Sequence, residues 1–186
     1  MGELPSLPNA WIQSVKRRPS DLALADTLGR PLNASQALTA SLLMAKRIRK
    51  LNPGQNVGLL LPTSSAGVIA NMATLLAGKT VVNLNYTADQ EALTSALSQA
   101  EIATVFTSQR FVKKLEQRGF DVSQLLREKQ VVLLEDLQAT IGRGERLSTW
   151  LAVRILPTWL LQRCFCHGHD ADATAAILFS SGSEGE

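Results

Sequence analysis

The residues best suited to chemistry stand at the end of the chain, Ala175-Ala-Ile-Leu-Phe-Ser-Ser-Gly-Ser-Glu-Gly-Glu186. A short apolar run passes straight into hydroxyls and glycines. Gly182 and Gly185 let backbone come close to a ligand, and successive N–H groups in such a loop form a concavity for anions. Ser180, Ser181 and Ser183 add hydroxyl donors. Together they suit a polyphosphate. The glycine and lysine spacings of the Walker loop and of the dinucleotide fingerprint are both missing. A hydrolase elbow is excluded as well, because Ser181 is flanked by Ser180 and Gly182 and not by the Gly-x-Ser-x-Gly pattern. The same composition also fits a tail that follows a last strand.

Two other segments carry reactive or amphipathic groups. Every cysteine and histidine falls within Cys164-Phe-Cys166-His167-Gly-His169. Thiolate and imidazole are ligands for zinc or copper. Structural zinc sites draw their ligands as two pairs from separate elements, and here no second pair exists, so a loop without a resident metal is expected. Upstream, Trp150 to Arg163 is apolar, carries Arg154 and Arg163, and contains no acid. Pro157 interrupts any helix through it. Tryptophan and arginine on an apolar stretch suit a membrane interface, while the plainer expectation is a helix packed on a sheet.

The elements that must position these groups alternate two periods. Continuous apolar runs at Asn56–Leu61, Thr80–Leu84, Ile102–Thr107, Val131–Leu134 and Thr174–Phe179 read as buried strands. Helical spacing separates the first four. Ser64 or Ser65 caps a helix whose apolar positions are Val68, Met72, Leu75 and Leu76, and Gly78 stops it. Thr87 with Gln90 fits a capping box before a helix with Leu93, Ala96, Leu97 and Ala100 on one face. Ser108–Arg118 is a third helix, ended by Gly119. Ser35–Leu51 reads as a long amphipathic helix buried through Leu38, Leu42, Ala45 and Ile48, and a short helix surrounds Trp11, Ile12 and Val15. A strand pair near Leu22–Ala25, turning at Leu28-Gly29, lies between them. Strand–helix alternation with short loops predicts an α/β fold, a mainly parallel sheet with helices on both faces. The expected organisation is an N-terminal helical and strand-pair segment, 1–50, and an α/β subdomain, 51–186.

Composition agrees. Apolar residues make up 45% and charged residues 19%, which excludes a chain disordered throughout. A formal charge of +3 and only 5% aromatic residues argue against nucleic acid as partner. Met1–Asn9 has no apolar signal region, and no apolar run reaches the ~18 residues of a membrane span, so a cytoplasmic setting is expected.

Phe179-Ser-Ser-Gly-Ser-Glu-Gly185 resembles the phosphate-binding loop of the adenylate-forming (AMP-dependent synthetase/ligase) superfamily. In that family the loop runs Thr/Ser-Ser-Gly-Ser/Thr-Thr/Glu-Gly, one variable residue, then Pro-Lys-Gly. Glu184 is the less common choice. It is similar to the branch formed by the acyl–acyl carrier protein synthetase part of bacterial 2-acylglycerophosphoethanolamine acyltransferases. Framework segments resemble that branch in the same order: Val57-Gly-Leu-Leu-Leu-Pro62, Leu84-Asn-Tyr-Thr-Ala88, Leu93-Thr-Ser-Ala-Leu97, Phe106-Thr-Ser-Gln-Arg110 and Leu133-Leu-Glu-Asp-Leu137. The resemblance covers roughly residues 35–186.

It implies the N-terminal portion of the large domain of an ATP-dependent acyl ligase. Such an enzyme activates a long-chain fatty acid as acyl-adenylate, with ATP and Mg2+, for transfer to acyl carrier protein or coenzyme A. Ser180, Ser181, Gly182, Ser183, Glu184 and Gly185 would hold the ATP phosphates. Segment 150–163 would line an acyl tunnel or touch the inner membrane peripherally. The family's loop lysine, adenine-binding segment and catalytic lysine would all fall past Glu186, so no catalytic residue is assigned and the chain alone is expected to be inactive. The alternative is a non-catalytic α/β binding or scaffolding module with a C-terminal tail.

Overall fold

The computed structural model describes residues 5–27, 29–166 and 172–179. In chain order the elements are α1 (Leu7–Arg17), β1 (Leu22–Leu24), β2 (Leu32–Asn33), α2 (Ala34–Leu51), β3 (Asn56–Leu60), α3 (Ser65–Leu76), β4 (Thr80–Asn83) and α4 (Gln90–Gln99). There follow β5 (Thr104–Thr107), α5 (Gln109–Glu116), α6 (Val122–Leu125), β6 (Gln130–Leu133), α7 (Leu134–Ala139), α8 (Arg143–Ile155), α9 (Thr158–Phe165) and β7 (Ala176–Ile177).

Five strands form one sheet in the order β6-β5-β3-β4-β7, and every pairing in it is parallel. β1 and β2 pair antiparallel apart from it. Side chains alternate across each strand. Val57, Leu59, Val81 and Phe106 therefore enter one core, with Ile12 of α1, Leu38, Leu42 and Ile48 of α2, Ala70 and Ala73 of α3, and Val153 and Leu161 from α8 and α9. Leu60, Val82 and Val105 enter the other, with Leu93 and Leu97 of α4, Phe111 and Leu115 of α5, and Val122 and Leu125 of α6. Each fully buried side chain of this size contributes about 1.5–3 kcal/mol, so both helical layers are held by apolar burial. The α/β fold with helices on both faces follows as expected.

Helix starts are set by short polar side chains. Asn33 accepts from the N–H of Gln36 at 2.9 Å while the Gln36 side chain accepts from the N–H of Asn33, a reciprocal capping box that opens α2 one residue before the expected Ser35. Ser64 caps α3 and Ser108 caps α5. The box expected at Thr87 and Gln90 does not form. Asp89 caps α4 by accepting from Ala92 N–H at 2.7 Å, and the Thr87 hydroxyl donates to Asn85 Oδ1. A carboxylate one residue before the first helical position outcompetes a hydroxyl further back.

The face of α3 differs from expectation in part. Leu75 and Leu76 are buried as expected and Met72 packs against the first core, but Val68 is 44% exposed and Ala70, Ala73 and Thr74 share the buried face. Small residues let α3 lie close on α2, close enough for the Ser41 hydroxyl to donate to the carbonyl of Ile69 at 3.4 Å. Val68 and Met72 reach toward the carboxyl ends of β3 and β4.

Candidate functional site

β3 leads into α3 on one face of the sheet, and its neighbour β4 leads into α4 on the other. Where adjacent parallel strands send their chains to opposite faces, a crevice opens at their carboxyl ends. Here it is a cavity of about 550 Å3. The turn after β3 supplies Thr63 and Ser64, α3 supplies Gly67, Val68, Asn71 and Met72, and the end of β4 supplies Asn83, Asn85, Tyr86 and Thr87. Leu178 and Phe179, which follow β7, close the remaining side.

The turn folds tightly over α3. A Cβ on Gly67 would meet the carbonyl oxygen of Pro62 at 2.8 Å. Ser64 Oγ accepts from Gly67 N–H and donates to the Pro62 carbonyl, both at 3.2 Å. The Ser65 N–H donates to Asp26 Oδ2 at 2.5 Å. A carboxylate thus already sits at the positive end of α3. Deeper in, Asn71 and Asn83 exchange amide hydrogen bonds at 3.2 and 2.9 Å, which fixes the orientation of both. Asn85 Oδ1 accepts from the N–H and hydroxyl of Thr87. Tyr86 stands edge-on to Phe111, with ring centres 5.0 Å apart, and so its ring is held by the second core.

Among the described residues no charged side chain lines this cavity. Its hydroxyls and amides can hydrogen-bond a ligand and orient it. They bring no opposite full charge to set against one that develops during a reaction. The arrangement is suited to binding and positioning.

Ser180, Ser181, Gly182, Ser183, Glu184 and Gly185 lie outside the described residues. The strand that leads to them is placed. β7 pairs with β4 through Val81↔Ala176 and Val82↔Ile177, reinforced by Val81 N–H to the Ala175 carbonyl at 3.0 Å and the Thr80 hydroxyl to the Thr174 carbonyl at 3.1 Å. Phe179, covalently joined to Ser180, is itself a cavity wall.

His167 and His169 also lie outside the described residues. Cys164 is exposed, while burial pushes the Cys166 thiol up to about 11, against the opposing pull of Arg49. A thiol protonated at neutral pH is a poor nucleophile. Among the described residues no group of three or more His, Cys, Asp or Glu side chains could hold a metal ion.

Segment 150–163 is divided by Pro157 into the end of α8 and the start of α9. Its inner side, with Val153 and Leu161, packs in the first core. Its outer side leaves Ile155 72% and Trp159 63% exposed. Among the described residues no helix is long and apolar enough to cross a membrane.

The cavity residues Asn71, Asn83 and Thr63 escaped the sequence reading. The one available signal was a polar amide, Asn83, closing the buried run Thr80-Val-Val82.

The model of the AMP-binding enzyme family matches residues 11–186. The chain is similar in structure to the O-succinylbenzoate coenzyme A synthetase MenE of Bacillus subtilis in complex with AMP, at 18% identity and TM-score 0.65, covering 94% of this chain and 39% of that one. It is similar to VinN in complex with 3-methylaspartate at 16% identity and TM-score 0.63, covering 96% and 45%. It is also similar to the N-terminal subdomain of Klebsiella oxytoca NpsA in complex with 3-hydroxyanthranilyl-AMSN, at 17% identity and TM-score 0.60, covering 75% and 32%. The chain thus spans less than half the length of these solved proteins.

Proposed function

Because the chain belongs to the AMP-binding enzyme family, we propose that it is the N-terminal portion of an ATP-dependent acyl ligase that activates a long-chain fatty acid as acyl-adenylate for transfer to acyl carrier protein or coenzyme A. The observation that carries this reading is the register of β7 beside β4, which brings Phe179 to the cavity wall one bond before the serine–glycine run. In the proposal, the N–H groups and hydroxyls of Ser180, Ser181, Gly182, Ser183, Glu184 and Gly185 take the ATP phosphates. Asn71, Asn83 and Thr63 then orient the rest of the ligand by hydrogen bonds. The long-chain substrate and the carrier-protein or coenzyme acceptor are supported by the likeness of residues 35–186 to the acyl–acyl carrier protein synthetase branch.

Enzymes of this family use ATP with Mg2+. Mg2+ prefers carboxylate, phosphate and water oxygens. No carboxylate lines the described cavity and no described cluster suits a metal, so the described residues do not fit the ion by themselves.

Joining a carboxylate to an α-phosphorus brings two anions together, and cationic groups dominate the lowering of that barrier. Among the described residues the lining lacks them. These 186 residues are therefore proposed to bind nucleotide without turning it over. Fatty-acid-dependent exchange of pyrophosphate into ATP tests this directly. The expected result is ATP binding, weakened by Ser181→Ala with Ser183→Ala, and no exchange. Exchange by this chain alone would show that it holds its own catalytic cation. Failure to bind ATP would favour the non-catalytic module.

A further inference from the structure

On the other side of α3 a second cavity, also about 550 Å3, opens between α2, α3, α7 and α8. Its floor is apolar and buried, with Leu43 and Met44 of α2 and Leu134 and Leu137 of α7. Ile69 of α3 and Ile141 complete the walls. The exposed lining residues include Gln36, Gln138, Arg146 and Trp150. Apolar depth and a polar mouth are thus separated along one axis. A volume in this range, mostly apolar with a few convergent polar groups, is that of a small-molecule site.

The charge at the mouth specifies the ligand further. Arg146 donates to the Gln138 carbonyl at 3.1 Å and makes no ion pair with a carboxylate among the described residues. The neighbouring acid, Glu145, is engaged by Arg47 and Lys46. From Arg146 through Arg163 the sequence contains no acid. Among the described residues Arg146 is the one charged side chain that lines the cavity, next to two side-chain amides that donate and accept. α3 turns Ala66 and Ile69 to this cavity and Gly67, Val68 and Asn71 to the other, so the two sites share one helix without sharing a residue.

The geometry points to a binding site for a free aliphatic carboxylate. Its alkyl chain lies on Leu43, Met44, Ile69 and Leu137, and its head group meets Arg146 with Gln36 and Gln138. The site needs neither nucleotide nor the serine–glycine run, and so goes beyond the proposed ligase activity.

The test is calorimetric titration of the 186-residue chain, without ATP, with octanoate, decanoate and dodecanoate below their micelle concentrations. Affinity is expected to rise about three- to fourfold per added methylene. Arg146→Gln should weaken decanoate about tenfold while leaving decanol unchanged. Ala40→Phe, which fills a wall, should abolish both, with circular dichroism verifying the fold. If that variant unfolds, the Arg146→Gln comparison decides alone. Absence of binding by the unaltered chain at millimolar decanoate overturns the proposal. So does an equal effect of Arg146→Gln on acid and alcohol, or a response to anionic vesicles alone, which would make a bilayer the ligand. ATP is absent throughout, so failure of pyrophosphate exchange leaves this result untouched.

Discussion

At Gly67 two effects oppose each other. Replacing a helical glycine by alanine normally gains up to about 1 kcal/mol. Here the new methyl would stand 2.8 Å from the Pro62 carbonyl oxygen, and that contact is backbone on the far side, with no flexible side chain to move away. Overpacking of this kind costs about 1–3 kcal/mol. The cost wins because relief requires opening the Pro62–Ser64 turn and loosening the Ser64 cap. Gly67→Ala is expected to lower the urea midpoint by the equivalent of about 1–2 kcal/mol with an unchanged m value; a midpoint equal to or above that of the unaltered chain would mean that the turn yields freely. None of this was legible in the sequence. Gly67 sits among small residues that only read as helix, and its need for space comes from a carbonyl five residues back in a turn of unknown shape. The Asn71–Asn83 pair was hidden for a similar reason: it joins a helix to a strand end across a cavity, and no local pattern reports such a contact.

Single helices here are tied by side chains that cross between elements. Arg47 of α2 grips Glu145 of α8 through both carboxylate oxygens, at 2.5 and 2.6 Å, and Lys16 of α1 donates to the carbonyls of Val153 and Arg154 at 3.1 Å, satisfying the last turn of α8. Exposed pairs usually contribute about 0.2–1 kcal/mol, and a two-pronged, half-covered pair belongs at the upper end. The hydrogen bonds from Arg47 hold the Glu145 carboxyl below its ordinary 4.5. A lowered folded value means that the contribution is fully present above 4.5 and is lost as pH falls through the lower value. Glu145→Gln should therefore cost about 1 kcal/mol in urea at pH 7, and its deficit should shrink below pH 4.5. A deficit independent of pH would assign the loss to packing. The helices themselves were largely readable: the buried faces of α2 and α4, the cap at Ser64, left open between Ser64 and Ser65, and the stop at Gly119 all follow from period and punctuation. The face of α3 was readable in part: Leu75 and Leu76 are buried, while Val68 is exposed because alanines packed on α2 take its place in the core. α7 and the start of α8 went unassigned, since 134–149 mixes charges into its apolar pattern and the order in which these helices wrap the sheet is a tertiary fact.

At the scale of the whole molecule, exposed apolar surface is unevenly distributed. Of the ten large hydrophobic residues exposed among those described, five (Leu147, Trp150, Leu151, Ile155 and Trp159) lie in α8 and α9, so exposed apolar surface concentrates on these two helices. Leu147, Leu151 and Ile155 follow one another four residues apart, hence on one side of α8. Arg143 and Arg154 share α8 with the stripe, and the Arg154 guanidinium lies 5.8 Å from the Trp150 ring centre, which sets positive charge beside the apolar residues. A surface that is both apolar and cationic matches the interface of an anionic bilayer, where side chains enter the acyl boundary and arginines meet phosphates. Peripheral membrane contact, expected from the sequence of 150–163, would use this face. The chain should float with phosphatidylglycerol vesicles and less with neutral ones, and salt should release it. Ile155→Ser with Trp159→Ala should weaken vesicle binding about tenfold or more, since two side chains lose apolar burial while Val153 and Leu161 keep the helices seated. If vesicles capture nothing and the same pair of changes converts a sedimenting dimer to monomer, a second copy of the chain covers the face instead, and the lipid contact is wrong.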